Sequence, residues 1–206
     1  MARLNNNDTH LSRASKSSEG YFLVNATEIA AWIDQLVPGE LVIHTPVDND
    51  DALDMGTVNL GAEVLATTLE FSAVDTGLSF EGKDVRSELF TVARVSAETA
   101  LLAVSGAAEL FRRMEGTLPA QPGTLVPGIG DFVSLPSDIT VRHGLCVVPY
   151  VWEGQVPQLD EQDRLTVLLQ ILMLTQEEYE YAVTYGIEAL QEELMKAEVD
   201  INDWSR

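Results

Sequence analysis

Between Leu165 and Leu174 nearly every position is apolar, Thr166 and Gln170 being the exceptions. A short apolar run of this kind reads as a strand covered on both faces. At Thr175 the pattern changes to acidic residues at helical spacing. Thr175 and Glu178 form Thr-x-x-Glu, so Thr175 is expected to cap a helix and Glu178 to close a capping box. Tyr179, Ala182, Val183, Ile187, Leu190 and Leu194 then make the expected buried stripe of one helix over Gln176–Lys196, and Glu177, Glu180, Glu188, Glu192 and Glu193 lie away from it. Gly186 costs such a helix about 1 kcal/mol relative to alanine. It is therefore expected either at a close approach to a neighbouring element or at a weak point.

Two more helices follow from periodicity. Ile29, Trp32, Ile33 and Leu36 recur at helical spacing after Asn25, with Glu28 three residues on and a stop at Pro38–Gly39. From Ser96, the positions Ala100, Leu101, Val104, Ala107, Ala108, Phe111 and Met114 form a second stripe. Between these helices, "ELVIHTPV", "TVNLGAEVLATTLEFSAV", "GLSF" and "RSELFTVARV" are rich in Val, Thr and aromatic residues and read as strands. "EGTLPAQPGTLVPGIGDFVSLPSD" is a Pro/Gly-rich connection, and "GLCVVPYVW" a further strand. Residues 1–20 are polar and are expected to be a disordered tail, leaving residues 21–206 as one domain.

Charge adds to this picture. Of 206 residues, 33 are Asp or Glu and 12 are Lys or Arg, a net charge of −21. Such a field repels nucleic acid and anionic membrane and favours basic partners. Nothing in the pattern sets an oligomeric state. No apolar stretch is long enough to cross a bilayer, and the first residues lack the apolar centre of a signal peptide. The single Cys146 sits in an apolar run and reads as an inert buried thiol. A cytoplasmic location is expected.

Candidate chemistry is sparse. His10, His44 and His143 are scattered and lack metal-ligand spacing, and His44 reads as a structural histidine within a strand. The acidic Asp48–Asp54 segment fails the calcium-loop pattern, since Ala52, Leu53 and Asn59 stand where an acid or amide, Gly and Glu are required. Gly128 and Gly130 lack the rest of a phosphate cradle and read as turn residues. Ser105 lies in a helix interior, not at a nucleophile elbow. No cofactor and no metal are expected. The aromatic residues Tyr150, Trp152, Tyr179, Tyr181, Tyr185 and Trp204 gather in the last third, as core or as anchors of an interface.

The order of several short pieces resembles the suppressor-of-fused domain family. Leu174, Thr175, Glu178, Gly186 and Leu190 occupy the places of that family's closing strand and helix. "DTGLSF" is similar to its Thr-Gly-Met-Ser turn, with Gly77 and Ser79 in register and Leu78 where Met is usual. "RSELFTVA" is similar to its Arg-x-Glu-Leu strand, which gives Glu88 and Leu89 as motif residues. The resemblance spans about Leu41 to Leu194. It implies an α+β fold, a mixed β-sheet flanked by helices, and no catalytic residues. Animal members restrain a zinc-finger transcription factor by binding a peptide from it. Short bacterial members are similar to immunity proteins that neutralise polymorphic toxins.

The expectation is thus a non-enzymatic binding protein whose partner is a basic, toxin-like protein. Glu177, Glu180, Glu188 and Glu192 are the candidate partner-binding residues. A small enzyme whose site has no motif, and a structural or chaperone-like oligomeric module, are the alternatives.

Overall fold

A computed structural model describes residues 26–46, 52–114, 117–152 and 156–206. Asn25, the polar segment 1–20 and most of the acidic Asp48–Asp54 segment lie outside the described residues. In chain order the elements are α1 (Ala26–Leu36), β1 (Leu41–His44), β2 (Met55–Asn59), β3 (Val64–Thr68), a 3₁₀ turn (Phe71–Ala73), β4 (Leu78–Phe80), β5 (Lys83–Ala93) and α2 (Ala97–Arg113). Then come β6 (Leu125–Val126), α3 (Ile129–Phe132), β7 (His143–Val147), β8 (Gln158–Asp160), β9 (Arg164–Leu174), α4 (Gln176–Tyr185) and α5 (Ile187–Lys196).

The strands form one mixed sheet in the order β1-β2-β3-β5-β9-β7-β6, with β4 paired to β5 and β8 to β9. The two longest strands, β5 and β9, run parallel at its centre, with Leu89 opposite Leu169. The other described pairings are antiparallel. A parallel pair needs a crossover, which the chain supplies through α2, β6, α3 and β7.

β9 explains its own composition. Leu169, Ile171 and Met173 join one core with Leu89, Ala93 and the inner face of α2. Leu168 faces the opposite way and joins Phe90, Val92 and α1's Ile29 and Ile33. Further along, Leu172 and Leu174 pack with Leu145, Ala182 and Leu190 under α4 and α5. One face of the sheet is thus covered by α2, and the other is shared between α1 and the α4–α5 pair. Every position of β9 from Leu168 onward therefore needs to be apolar unless it has a partner. Gln170, almost fully buried between the α1 and α4–α5 regions, has one: its Oε1 accepts the Tyr150 N–H at 3.2 Å.

α2 buries Ala100, Ala103, Val104, Ala107, Ala108 and Phe111. Its alanines let the helix axis lie close to the sheet, and Phe111 meets Phe71 with ring centroids 5.8 Å apart. Ser96 caps it, its Oγ accepting the Thr99 N–H at 3.1 Å. Met114 is exposed at its end, not part of the stripe. The Pro/Gly-rich connection is ordered where it is described and carries β6 and α3. Gly128 makes the turn expected of it, at φ +73°. Gly130 does not: it lies within α3, and a Cβ there would stand 2.8 Å from Arg142 Cδ. Its role is close approach.

The last residues close the core. Trp204 is buried with the α2-side cluster. The carbonyl of Asn202 accepts the Arg94 N–H at 2.8 Å, and that of Trp204 accepts the Thr140 N–H at 2.8 Å.

Candidate functional site

α4 begins as its sequence dictates. Thr175 Oγ1 accepts the Glu178 N–H at 3.2 Å, and Glu178 Oε2 accepts the Thr175 N–H at 2.8 Å, a complete capping box. The expected single helix over Gln176–Lys196 is broken at Gly186, whose backbone has φ +94° and ψ 163°. This corrects the packing reading of that glycine. A Cβ placed on it would meet only Glu188 Oε2, at 3.8 Å. Gly186 is there because an L side chain rarely adopts that backbone. Of the expected stripe, Ala182 and Leu190 are buried, whereas Val183 is 60% exposed and lies outside it.

Glu177, Glu180, Glu188 and Glu192 are all exposed. The break divides them, two on α4 and two on α5, so they do not share one continuous helix face. Their neighbours differ. Lys196 lies 2.8 Å from Glu193 and 4.0 Å from Glu192, and these contacts hold its ammonium above its usual value, Glu193 most of all. Glu178 is neutralised by Arg206.

Glu180 ends a hydrogen-bond chain whose direction is forced by its two termini. The Gly128 N–H donates to His143 Nδ1 at 3.1 Å, so the Nε2 of that ring carries the proton and donates to Gln176 Oε1 at 2.7 Å. Gln176 Nε2 then donates to Glu180 Oε1 at 2.7 Å. His143 also stacks on Tyr179, 4.2 Å between centroids and 13° from parallel. Sequence reading placed His143 among scattered histidines and missed this link, because its partners lie 15 and 33 residues away.

The aromatic cluster separates into two groups. Trp204 and Trp152 pack inside, the latter edge-on to Phe90 and donating its Nε1–H to the Leu36 carbonyl at 3.1 Å. Tyr181 and Tyr185 meet on α4 with centroids 4.6 Å apart and rings tilted by 45°, and Tyr185 is 66% exposed.

Of the upstream motif residues, Gly77 has φ +76° and gives its N–H to Asp75 Oδ1 at 2.8 Å, a turn before β4, where Ser79 is exposed. Leu89 is core. Glu88 is fully buried with no ion-pair partner among the described residues. Its carboxylate instead accepts three donors: Thr68 Oγ1 at 2.5 Å, and the Phe71 and Ser72 N–H groups, each at 3.0 Å. It thus ties β5 to the start of the 3₁₀ turn. Burial pushes its carboxyl above the usual range, and the three donors oppose that shift.

His44 has the partner expected of a structural histidine, Thr57 Oγ1 at 2.8 Å. Burial pushes the Cys146 thiol far up, which leaves it inert. Among the described residues no three His, Cys, Asp or Glu side chains are grouped to hold a metal ion, and no helix is long and apolar enough to cross a membrane.

One feature escaped the sequence. A cavity of about 970 Å³ runs beside α2, lined by apolar residues such as Leu53, Met55, Leu101 and Val133. Arg113 at its rim lies over the Phe132 ring at 4.7 Å and pairs with Glu109 at 2.8 Å. The only hint in the sequence was Leu102, an apolar residue beside the stripe of α2 that remains partly exposed.

No family model and no curated protein matches the chain. Solved structures do match, and they define the class: an α+β fold in which helices flank a mixed sheet. That fold is the suppressor-of-fused fold. The chain is similar to one in the crystal structure of the Sufu-Fu complex, with TM-score 0.63 and 13% identity over 88% of this chain and 90% of that one. It is also similar to Drosophila Suppressor of Fused, with TM-score 0.60 and 13% identity over 86% of this chain and 49% of that one. It spans about half of the Drosophila chain. At 13% identity the likeness is one of fold.

Proposed function

We propose that this domain is a non-catalytic protein-binding module that captures a basic protein through the carboxylates of α4 and α5. In its fullest form the proposal is a bacterial, cytoplasmic immunity protein that neutralises a toxin-like partner. One observation carries it: Glu177, Glu180 and Glu188 stand exposed on a net charge of −21, while Lys196 and Arg206 engage other glutamates. A carboxylate-rich face on such a chain accelerates encounter with cations and repels anionic competitors. The occurrence of the fold in a Sufu-Fu complex supports a protein partner.

The test is affinity capture with the tagged protein, followed by binding kinetics on whatever is retained. A basic protein captured with an association rate that falls steeply with salt is the expected result. Partners captured without salt dependence, or unaffected by charge reversal on α4 and α5, would remove the acidic face from the account. A second reading, a small-ligand binder or enzyme, draws on the cavity beside α2, whose volume lies in the range of ligand pockets. A small molecule retained through purification and lost on Met55→Trp would favour it.

A further inference from the structure

We propose that the Tyr181–Tyr185 pair, together with Glu177 and Glu188, is an arginine-recognising patch: a guanidinium of the partner seats on the exposed Tyr185 ring while a flanking carboxylate takes its N–H edge. This rests on the acidic-face reading and specifies the partner's chemistry.

The geometry comes from the helix and its break. Glu177, Tyr181 and Tyr185 are spaced by four residues and so line one edge of α4. The positive-φ backbone of Gly186 ends α4 directly after Tyr185, and α5 starts at the next residue. The side chain of Glu188 reaches back over that break, its Oε2 3.8 Å from where a Cβ on Gly186 would lie. Glu177 thus shares the edge of α4 with the tyrosine pair, and Glu188 stands at the break that follows Tyr185. The Tyr185 ring is braced by Tyr181 at 4.6 Å and is still 66% exposed.

The platform is rigid. α4 is fixed by its capping box, by the stack of Tyr179 on His143, and by the ion pair of Glu178 with Arg206. A partner group docking here meets a helix already held in place, which reduces the ordering cost of binding.

Charge selects the occupant. A second copy of this chain would bring its own −21 to the face and be repelled, and nucleic acid or an anionic bilayer would be repelled likewise. Among cations, a guanidinium is planar and weakly hydrated; it stacks on an aromatic ring while its N–H groups fork onto a carboxylate. An ammonium makes the ion pair but gains less from the ring.

The experiment uses the full chain and two probes, an oligo-arginine and an oligo-lysine peptide of equal length. Affinities are measured at low and at physiological salt, and the Tyr185 ring signals are followed by NMR. The expected result is a preference for oligo-arginine of about two- to fivefold, with ring shifts at Tyr185. Tyr185→Phe keeps the preference and Tyr185→Ala abolishes it, with melting curves unchanged because the ring is exposed. Glu177→Gln with Glu188→Gln weakens both peptides. Equal affinity for the two peptides, or a preference that survives Tyr185→Ala, overturns the arginine patch and leaves the acidic face standing. If neither peptide binds at low salt, the patch and the acidic-face reading fall together.

Discussion

Glu178 and Arg206 form a two-bonded fork, Nε to Oε1 at 2.9 Å and Nη2 to Oε2 at 2.8 Å. The same carboxylate closes the capping box of α4, and the same guanidinium also donates to the carbonyls of Met173 and Asp203. One pair therefore ties the helix start, the end of β9 and the last turn of the chain together. Both side chains are largely buried, so removing one leaves the other short of partners. Arg206→Ala is expected to destabilise by about 2–4 kcal/mol in a denaturant melt. Glu178→Gln keeps an acceptor for the cap and should cost less. Equal losses would mean that the fork contributes little beyond the cap.

Glu88 gives a pH dependence. Its folded-state carboxyl is raised, chiefly by burial, so between the ordinary carboxylate value and the raised one the folded protein binds more protons than the unfolded chain. Stability from this group therefore falls as pH rises through that window. Melts from mildly acid to neutral pH should show the slope, and Glu88→Gln should flatten it. Glu88→Ala abandons three buried donors and is expected to cost about 2–4 kcal/mol at any pH. A wild-type profile flat over the window would show that the donors fully offset burial.

Two glycines separate crowding from backbone strain. A Cβ at Gly106 would stand 2.5 Å from Val133 Cγ1, where α3 packs on α2. Gly106→Ala forfeits the usual helical gain, and Gly106→Leu should lose about 1–3 kcal/mol more by overpacking. Gly186 has open space and a positive φ. Gly186→Ala and Gly186→Leu should therefore destabilise to a similar degree, by about 1–3 kcal/mol. Thermal melts of the four variants decide it; a much larger loss for Leu than for Ala at Gly186 would restore a packing role there.

These residues also show where local pattern stops being informative. The capping box at Thr175, the helix start near Ser96 and the two-sided strand β9 were legible because each is encoded within a few residues. The break at Gly186 was not, since a glycine in a periodic helix looks the same whether it marks contact or a left-handed turn. Val183 was misplaced too: it adjoins Ala182 on α4, and that helix buries only the alanine. The motif residues Glu88 and Leu89 were located by resemblance, but the acceptor role of Glu88 depends on Thr68, Phe71 and Ser72 across a strand crossing. The chain from Gly128 through His143 and Gln176 to Glu180, and the cavity beside α2, exist only once distant segments are brought together.

That chain predicts a difference between two variants. His143→Phe keeps the stack on Tyr179 but removes both hydrogen bonds of the ring, leaving the Gly128 N–H without its acceptor. Gln176→Ala keeps the Gly128 bond but removes the link to Glu180 and the acceptor of the His143 Nε2–H. His143→Phe should cost about 1–3 kcal/mol, and Gln176→Ala less, about 1 kcal/mol, because Gln176 is exposed and water can take up the freed Nε2–H in its place. Comparable losses in paired denaturant melts would show that the exposed half of the chain matters as much as the buried half.

The acidic face makes the final prediction, and the break at Gly186 refines it. Reversing Glu188 and Glu192 to Lys should slow capture of a basic partner and weaken its salt dependence, because peripheral charges act mainly on the association rate. The two positions are not equivalent. Glu192 already has Lys196 at 4.0 Å, whereas Glu188 stands over the break at Gly186 with no cation paired to it among the described residues. Glu188→Lys alone should thus carry most of the effect, and Glu192→Lys alone little. The fold should survive both, since each side chain is exposed. At physiological salt, charges farther than about 8 Å from the contact are screened, so the difference between the two variants should widen there. Stopped-flow association measured at low and physiological salt separates the cases. Equal slowing by both reversals would mean a diffuse field without a local contact, and unchanged rates would leave these carboxylates with a role in solubility only.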